Sequence, residues 1–259
     1  MKRLVALLFG IVSYLIFFGT FLYSVGFLSN LVVPKSIDSA IDSGQAGAPL
    51  VALAVNLGLL GVFALQHSVM ARLRFKAWWT RFIPQPVERA TYVLASSAAM
   101  LLLFYFWQPI GGTIFQLENA GLRAAMQGLF FAGVGLVLYS TFLIDHFDLF
   151  GLRQVVLYFR GQDYVDKQFM TPSLYKHIRH PLYVGWFIAF WATPDMSLGH
   201  LLMALGTTGY ILVAIVFEER DLSTVLGAQY QAWRERTPKF VPRVTGRVRG
   251  AERGSTAAA

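Results

Sequence analysis

The sequence predicts an all-α integral membrane protein, a helical bundle with four full spans, a C-terminal helical hairpin and a cytoplasmic N-terminus. Three observations predict this fold class, and the first two are compositional: 56% of the 259 residues are hydrophobic, and only 14% are charged. In a soluble domain, about a quarter of all residues are charged. The third observation is a series of apolar stretches close to the roughly 20 residues that cross the hydrocarbon core of a bilayer.

Four of these stretches predict the full spans, and they cover residues 4–33, 50–71, 90–107 and 122–144. The first follows Lys2 and Arg3 and therefore has some features of a secretory signal. Its apolar run is longer than the core of a signal peptide, and it lacks a clear cleavage site with small residues. We therefore expect it to be retained as a span.

A fifth apolar region, 182–217, is too long for one span and predicts the hairpin. The segment 193–197 interrupts it with a turn composition, and its proline cannot continue a helix. The short first arm either crosses only part of the bilayer or extends backwards through 177–181. Residues 1–245 are expected to form a single domain, and 246–259 a disordered tail or a cloning remnant.

The distribution of basic residues predicts the topology. Loop 72–89 has five Lys or Arg against one Glu, whereas loop 34–49 has one Lys against two Asp and loop 109–121 has a single Glu. The positive-inside rule then places loop 72–89, the segment 145–181 and both termini in the cytoplasm, with the bacterial inner membrane as the expected location. The net charge of +8 is therefore a topology signal. No nucleic acid is expected as a partner, because no basic and aromatic recognition module accompanies the charge.

Other classes of site lack their sequence signals. The chain has no cysteine, which excludes disulfides and thiolate nucleophiles within the protein. Its five histidines are few and scattered, so we expect no metal site. No G-x-S-x-G elbow, Walker motif or Rossmann glycine pattern is present. The sequence leaves the oligomeric state open.

Ionisable residues lie against apolar sequence at the predicted cytoplasmic ends of the spans, where they could converge on one cavity. Such residues in a membrane protein indicate a functional site, although anchoring at the interface is the alternative. They are His67, Asp145, His146, Asp148, the segment 177–180, Glu218 and Glu219.

The stretch HIRHPLYVGWF, 177–187, joins a polar segment to a helix that should begin at Pro181. Tyr183 adds a hydroxyl, and Gly185 offers a position where the backbone can approach a ligand. An antiparallel hairpin would bring Glu218 and Glu219 beside this helix start. The alternative is a helix start with interfacial cations, and a solvated helix end at the two acids.

These residues occur in an order that resembles the isoprenylcysteine carboxyl methyltransferase and phospholipid methyltransferase superfamily. The ordered set is Tyr175, His177, Arg179, His180, Pro181, Tyr183 and Gly185, then Glu218 and Glu219, then Tyr230, Trp233, Pro238, Phe240 and Pro242. The resemblance implies that S-adenosylmethionine binds at the cytoplasmic face, between the Arg-His-Pro helix start and the Glu-Glu pair. The implied cofactor-binding residues are the members from Tyr175 to Glu219, with Glu218 preferred over Glu219.

The N-terminal half resembles a narrower family, the membrane methanethiol S-methyltransferases, together with their nitrite-reductase-accessory relatives. The segments LQHSVMAR, 65–72, and STFLIDHFDLFGLRQ, 140–154, carry this resemblance, which covers most of 5–243. It implies methylation of a small-molecule thiol, methanethiol, to dimethyl sulfide.

Methylation of a thiol requires a proton acceptor, since a small alkanethiol has a pKa at or above the ~8.5 of cysteine. His146 is the preferred general base, with Asp145 or Asp148 fixing its tautomer and supporting its cationic form. Arg153 could stabilise the thiolate or hold the carboxylate of the cofactor. His67 either reaches the same cavity or caps a span. The structural alternative for His146 is an imidazolium stabilised at a helix C-terminus.

Three other functions are left open by the sequence. An NADPH-dependent sterol-type reductase has a similar C-terminal cluster, but this chain lacks the further polar block that binds its cofactor. A non-catalytic accessory protein of nitrogen-oxide respiration would tolerate the loss of Glu218 and His180. A methyltransferase of prenylcysteine carboxylate or phospholipid would keep the cofactor site and change the acceptor.

Overall fold

The computed structural model describes residues 1–39, 48–165 and 169–243, so the tail predicted at 246–259 lies outside the described residues. The elements are α1 Lys2–Ser29, α2 Pro49–Ala71, α3 Leu73–Trp79, α4 Glu88–Phe106, β1 Thr113–Gln116, α5 Ala120–Ile144, α6 His146–Leu149, α7 Leu152–Arg160, α8 Pro181–Trp191, β2 Asp195–Ser197 and α9 Leu198–Arg236. Short 3-10 turns at Gln85–Val87 and Ser173–Lys176 precede α4 and α8. Within these described ranges, five helices, α1, α2, α4, α5 and α9, are long and apolar enough to cross a membrane. The predicted all-α membrane bundle is confirmed.

The hairpin consists of a short arm, α8, and a long arm, α9. Helix α8 begins at Pro181, as predicted, and has 11 residues. It is therefore about 16 Å long, roughly half the thickness of the hydrocarbon core. The alternative that this arm extends backwards through 177–181 is wrong, because 3-10 and irregular backbone precede Pro181.

The long arm continues beyond the two acids. Helix α9 runs to Arg236 and is kinked at Gly227, whose φ of 58° favours glycine. Glu218 and Glu219 therefore lie inside a helix, and the alternative of a solvated helix end is wrong. The run of apolar residues ends before Glu218, but an amphipathic helix can continue along the membrane–water interface.

Helices α5 and α8 pack closely through two glycines. A Cβ atom on Gly185 would lie 2.7 Å from the carbonyl oxygen of Gly133 and 2.8 Å from the backbone nitrogen of Val137. Small residues allow membrane helices to approach in this way. The predicted use of Gly185 for the approach of a ligand is wrong, because α5 fills the space beside its Cα atom.

A two-stranded antiparallel sheet, β1 with β2, joins the loop before α5 to the tip of the hairpin. Phe115 pairs with Met196, and Gln116 with Asp195. The Arg123 guanidinium also binds both carboxylate oxygens of Asp195, at 2.6 and 2.7 Å. No strand is predicted here from the sequence, since four and three residues are too few to show a strand pattern.

Helix α7 lies along the first half of α1. Val155 packs against Gly10, and the Arg3 guanidinium lies over the Tyr158 ring at 5.8 Å. Further along α1, the rings of Phe17 and Phe150 stack with centroids 3.8 Å apart. The chain therefore turns back at α6, and this turn holds His146 against α1.

Candidate active site

The first cluster is formed around Glu219 at the start of α8. One Glu219 carboxylate oxygen lies 2.9 Å from Arg179 Nε and 3.0 Å from His180 Nε2. The other lies 3.5 Å from Arg234 Nε. Glu219 is 4% exposed and His180 5%. A buried carboxylate requires such partners, because an unpaired buried charge is strongly destabilising.

The backbone after α9 completes this cluster. The Arg179 and His180 N–H groups donate to the carbonyls of Pro238 and Lys239, at 2.9 and 3.1 Å. The Arg179 guanidinium donates to two further carbonyls, those of Arg234 and Thr237. The backbone carbonyls of residues 234–239 thus accept the hydrogen bonds of Arg179 and His180.

Glu218 has a different set of neighbours. Its carboxylate accepts a hydrogen bond of 2.9 Å from the Tyr183 hydroxyl. Burial and the negative charge of Glu218 together raise the pKa of the Tyr175 hydroxyl above its usual value. Adjacent residues of a helix point about 100° apart, so Glu218 and Glu219 face separate partners. The structure brings both predicted acids to the helix start, on different sides.

The remaining motif residues have structural positions around this cluster. The Tyr175 carbonyl accepts a hydrogen bond of 3.1 Å from the Trp233 indole. Pro181 is buried at the first position of α8. His177 is exposed, and its N–H donates to the Leu174 carbonyl. His177 therefore lies outside the buried cluster.

A polar cleft of about 440 Å³ opens beside Glu219, where α9 bends. Its lining consists of Val216, Glu219, Arg220, Ser223, Thr224, Gln231, Arg234 and Lys239. Three cations and one carboxylate therefore face the same space. Such a set can bind a ligand that has both an anionic and a cationic group.

The second cluster surrounds His146, which is 3% exposed. Its Nε2 atom lies 2.8 Å from the Tyr14 hydroxyl, and its Nδ1 atom lies 2.8 Å from the Thr141 hydroxyl. The ring stacks on Phe142 at 4.4 Å and meets the edge of Phe150 at 4.9 Å. His146 is therefore enclosed by aromatic rings and uncharged hydroxyls.

The environment of His146 favours its neutral form. Burial lowers the pKa of the imidazole below its usual value, and the negative charge of Asp145 opposes this shift only in part. His146 also begins α6 and does not end α5. The alternative of an imidazolium stabilised at a helix C-terminus is therefore wrong.

The hydrogen bonds to the ring come from hydroxyls, and the prediction that Asp145 or Asp148 supplies them is wrong. The Asp145 carboxylate caps α6 by accepting from the Asp148 N–H at 3.1 Å. Asp148 pairs with Arg153 at 3.1 Å and accepts from the Tyr164 hydroxyl at 3.2 Å. Carboxylates in the turn thus stabilise its backbone and Arg153, while hydroxyls from α1 and α5 orient the imidazole.

The backbone on both sides of α6 adopts unusual conformations. Asp145 has φ 129° and ψ 95°, and Gly151 has φ 86°. A Cβ atom on Gly151 would lie 2.6 Å from the backbone nitrogen of Ala90. A non-glycine residue in such a region costs about 1–3 kcal/mol and is found most often at functional sites. The fold therefore maintains strain at the turn that presents His146.

His67 belongs to a third group of contacts. Its ring accepts or donates hydrogen bonds with the hydroxyls of Tyr92, at 2.9 Å, and Ser96, at 3.1 Å, and it stacks on Phe63. The adjacent Ser68 donates to the Tyr210 hydroxyl on α9. His67 thus contacts α4 and α9, whereas His146 contacts α1 and α5. The sequence leaves two alternatives open for His67: that it reaches the cavity of His146, or that it caps a span by binding carbonyls. Neither alternative describes these contacts.

Three residues of these clusters, Tyr14, Thr141 and Arg234, are not among the site residues predicted from the sequence. Thr141 lay within the segment 140–154 that carried a resemblance, and its hydroxyl five residues before His146 was a usable signal. Tyr14 and Arg234 meet their partners only through tertiary packing. Among the described residues, no group of three or more His, Asp or Glu side chains could hold a metal ion.

The chain is similar to several named proteins over most of its length, although no family model and no solved structure matches it. It is 51% identical over 242 residues to a methanethiol S-methyltransferase of Crocosphaera subtropica, covering 93% of each chain. It is 50% identical over 244 residues to a methanethiol S-methyltransferase of Mycobacterium tuberculosis, covering 93% of this chain and 98% of the relative. A more distant relative is Nurim of Sus scrofa, 32% identical over 190 residues, which are 70% of this chain and 72% of Nurim. With half of its residues shared over nearly the full length of these enzymes, the chain belongs to the methanethiol S-methyltransferase family.

Proposed function

We propose that the protein transfers a methyl group from S-adenosylmethionine to methanethiol, forming dimethyl sulfide. The observation that carries this proposal is the pair of unlike clusters at one end of the bundle. One is a buried carboxylate held by Arg179 and His180 beside a polar cleft. The other is a buried, neutral histidine, His146, among aromatic rings.

The residues of the first cluster fit S-adenosylmethionine by their chemistry. This molecule has an amino-acid carboxylate, an ammonium group and a sulfonium, and the cleft offers cations and a carboxylate. The Tyr230 hydroxyl is buried near Glu219 and has no hydrogen-bond partner within the described chain. A buried hydroxyl without a partner is costly, so a ligand group at this point would stabilise it.

Bound there, S-adenosylmethionine would supply an electrophilic methyl group. The residues that would hold it are Arg179, His180, Tyr183, Glu218 and Glu219, with the cations of the cleft. Membership of the family favours this function over the reductase and the accessory protein.

The second cluster suits the thiol. His146 is neutral near pH 7 because burial lowers its pKa, so it can accept a proton. The rings of Phe142 and Phe150 give methanethiol an apolar surface. Burial of a CH2-sized group contributes only about 0.8 kcal/mol, so we expect weak affinity for so small a thiol.

The packing of α5 against α8 supports the joint use of the two clusters. His146 follows the end of α5, and His180 precedes the start of α8. The two helices run antiparallel and are held together at Gly133 and Gly185. The helix ends that carry the two histidines therefore lie at the same end of the bundle, which we propose faces the cytoplasm of a bacterial cell.

The reaction is tested with purified protein, S-adenosylmethionine and methanethiol, by detection of dimethyl sulfide in the headspace. S-adenosylhomocysteine should raise the midpoint of thermal unfolding, whereas NADPH should not. Stabilisation by S-adenosylhomocysteine without formation of dimethyl sulfide would show that the acceptor is another molecule. Stabilisation by NADPH alone would contradict the methyl donor as well.

The orientation is tested with single cysteines, because the chain has none of its own. Cysteine in place of the exposed Glu118 should react with an impermeant reagent added outside cells. Cysteine in place of the exposed Ala77 should react only after the membrane is opened. The reverse pattern would place both clusters on the outer side.

A further inference from the structure

We propose that the thiol proton reaches His146 through the hydroxyl of Tyr14, which makes Tyr14 a catalytic residue. This inference rests on the proposed function, and it concerns the path of the proton. It depends on three contacts of described residues: Thr141 with Leu138, Thr141 with His146, and His146 with Tyr14.

The contacts of Thr141 assign the tautomer of His146. The Thr141 hydroxyl has a single proton, and the shorter of its two contacts, 2.7 Å, is to the Leu138 carbonyl, which can only accept. We therefore place the proton on this contact. At its second contact, 2.8 Å from His146 Nδ1, the same oxygen must therefore accept. Nδ1 then has the hydrogen, and in a neutral imidazole the lone pair lies on Nε2.

The lone pair on Nε2 faces Tyr14. Because Nε2 is an acceptor, the contact of 2.8 Å is a hydrogen bond donated by the Tyr14 hydroxyl. His146 is only 3% exposed, with Phe142 stacked on its ring. Tyr14 is half-buried on α1, and its oxygen retains lone pairs for another donor. The Tyr14 oxygen is therefore the more accessible of the two groups, and we place the thiol against it.

The proposed step conserves protons and electrons. The thiol S–H bond breaks and its proton bonds to the Tyr14 oxygen, while the original Tyr14 proton bonds to His146 Nε2. The electron pair of the S–H bond stays on sulfur. The products are a thiolate, a neutral Tyr14 and a His146 imidazolium.

The surroundings of His146 determine how this imidazolium is stabilised. The elements packed against the ring contribute the hydroxyls of Tyr14 and Thr141 and the rings of Phe142, Phe147 and Phe150. Asp145 is the charged group that favours the imidazolium. Asp148 is paired with Arg153 in the same turn. The charged form is thus supported weakly, which suits a base that must release its proton after each turnover.

The test compares Tyr14→Phe with Tyr23→Phe in the full-length protein. Tyr23 lies on the same helix and also makes one hydrogen bond through its hydroxyl, to the Lys35 carbonyl. Tyr14→Phe should reduce kcat by about 10²-fold or more, with KM for methanethiol little changed, as for loss of an acid-base group. The loss should shrink at high pH, where solvent supplies thiolate. Tyr23→Phe should leave kcat unchanged.

Nitrogen-15 spectra of labelled histidine give a readout that does not depend on turnover. The His146 resonance, assigned with His146→Gln, should show a hydrogen on Nδ1 in the wild type. Thr141→Val should remove this preference and produce a mixture of tautomers. This second variant keeps the tautomer testable if Tyr14→Phe does not fold.

The outcomes separate the transfer of the thiol proton through Tyr14 to His146, called the relay below, from the proposed function. If the wild type forms no dimethyl sulfide, both the proposed function and the relay are wrong. If the wild type is active and a folded Tyr14→Phe is equally active at pH 7, only the relay falls. A wild-type spectrum with the hydrogen on Nε2 also overturns the relay, whatever the activity.

Discussion

Two of the buried histidines in the described chain differ in their partners, although their exposure is almost the same, 3% for His146 and 5% for His180. His146 is bonded to two hydroxyls, whereas His180 is bonded to the Glu219 carboxylate. An ionised carboxylate can only accept, so it makes Nε2 of His180 a donor. Hydroxyls can donate or accept, so they leave a lone pair on His146. The partner therefore decides whether a buried imidazole acts as a proton acceptor or as a fixed donor.

The replacement His146→Ala tests this difference most severely. Turnover should fall by about 10²- to 10⁴-fold, the range for loss of a general base, while S-adenosylhomocysteine binds as before. Raising the pH towards the thiol pKa should recover part of the loss. In the wild type, activity should fall as acid protonates His146 below pH 7. A defect of equal size at every pH would indicate a structural role.

The same histidine predicts a dependence of stability on pH. Its pKa in the folded protein lies below the unfolded value of about 6.5, because burial disfavours the charged form. The unfolded chain therefore binds more protons below that pH, and stability should decrease as the pH falls through it. His146→Gln should reduce this decrease, as measured by thermal unfolding between pH 5 and about 7.5.

The replacement Glu219→Gln breaks the charged cluster. It leaves the Arg179 side chain, which is only 9% exposed, without its carboxylate, and removal of one partner of a buried ion pair costs about 3–5 kcal/mol. We expect a clearly lower midpoint of thermal unfolding and loss of S-adenosylhomocysteine binding. Glu88→Gln, at a helix start outside both clusters, is the control. An unchanged midpoint would mean that water reaches the Glu219 carboxylate.

Glu218→Gln should have a smaller effect, because an amide oxygen can still accept from Tyr183. The fold should remain intact while affinity for S-adenosylhomocysteine falls about tenfold to a hundredfold, as expected for a hydrogen bond to a charged group. Tyr183→Phe is the matched change on the other side of the same bond. Calorimetry on folded protein measures both. Unchanged affinity in Glu218→Gln would remove Glu218 from the proposed cofactor site.

Gly185→Ala should have the smallest effect and would change the distance between the clusters. The added methyl group would lie 2.7 Å from the Gly133 carbonyl oxygen, so α5 and α8 must separate. Overpacking of this kind costs about 1–3 kcal/mol. Gly135→Ala is the control, because no atom lies within 4 Å of its added Cβ. Equal thermal midpoints for the two variants would contradict the close contact.

The sequence predicted the spans and the meeting of Arg179 and His180 with the Glu218–Glu219 pair, since both depend on long-range patterns. It preferred Glu218, whereas the structure pairs Glu219 with Arg179 and His180. Hydropathy defines the spans, and a hairpin brings its two ends together whatever its exact packing. The Tyr14 partner of His146 could not be predicted in this way. Tyr14 is 132 residues from His146, and nothing local distinguishes it from Tyr23 on the same helix. The small sheet and the continuation of α9 were missed because short strands and interfacial helices have weak patterns.

The pairing of Arg179 and His180 with the backbone of Pro238 and Lys239 has a consequence for biosynthesis. Chains are made from the N-terminus, and their parts fold in that order. Every helix in the described chain is therefore made before residues 238–240. Backbone that is neither helical nor strand is tolerated at membrane depth only where protein or water satisfies it. A nascent chain that has all its helices still lacks the partners of Arg179 and His180, so we expect the enzyme to become active only after this last segment has been synthesised.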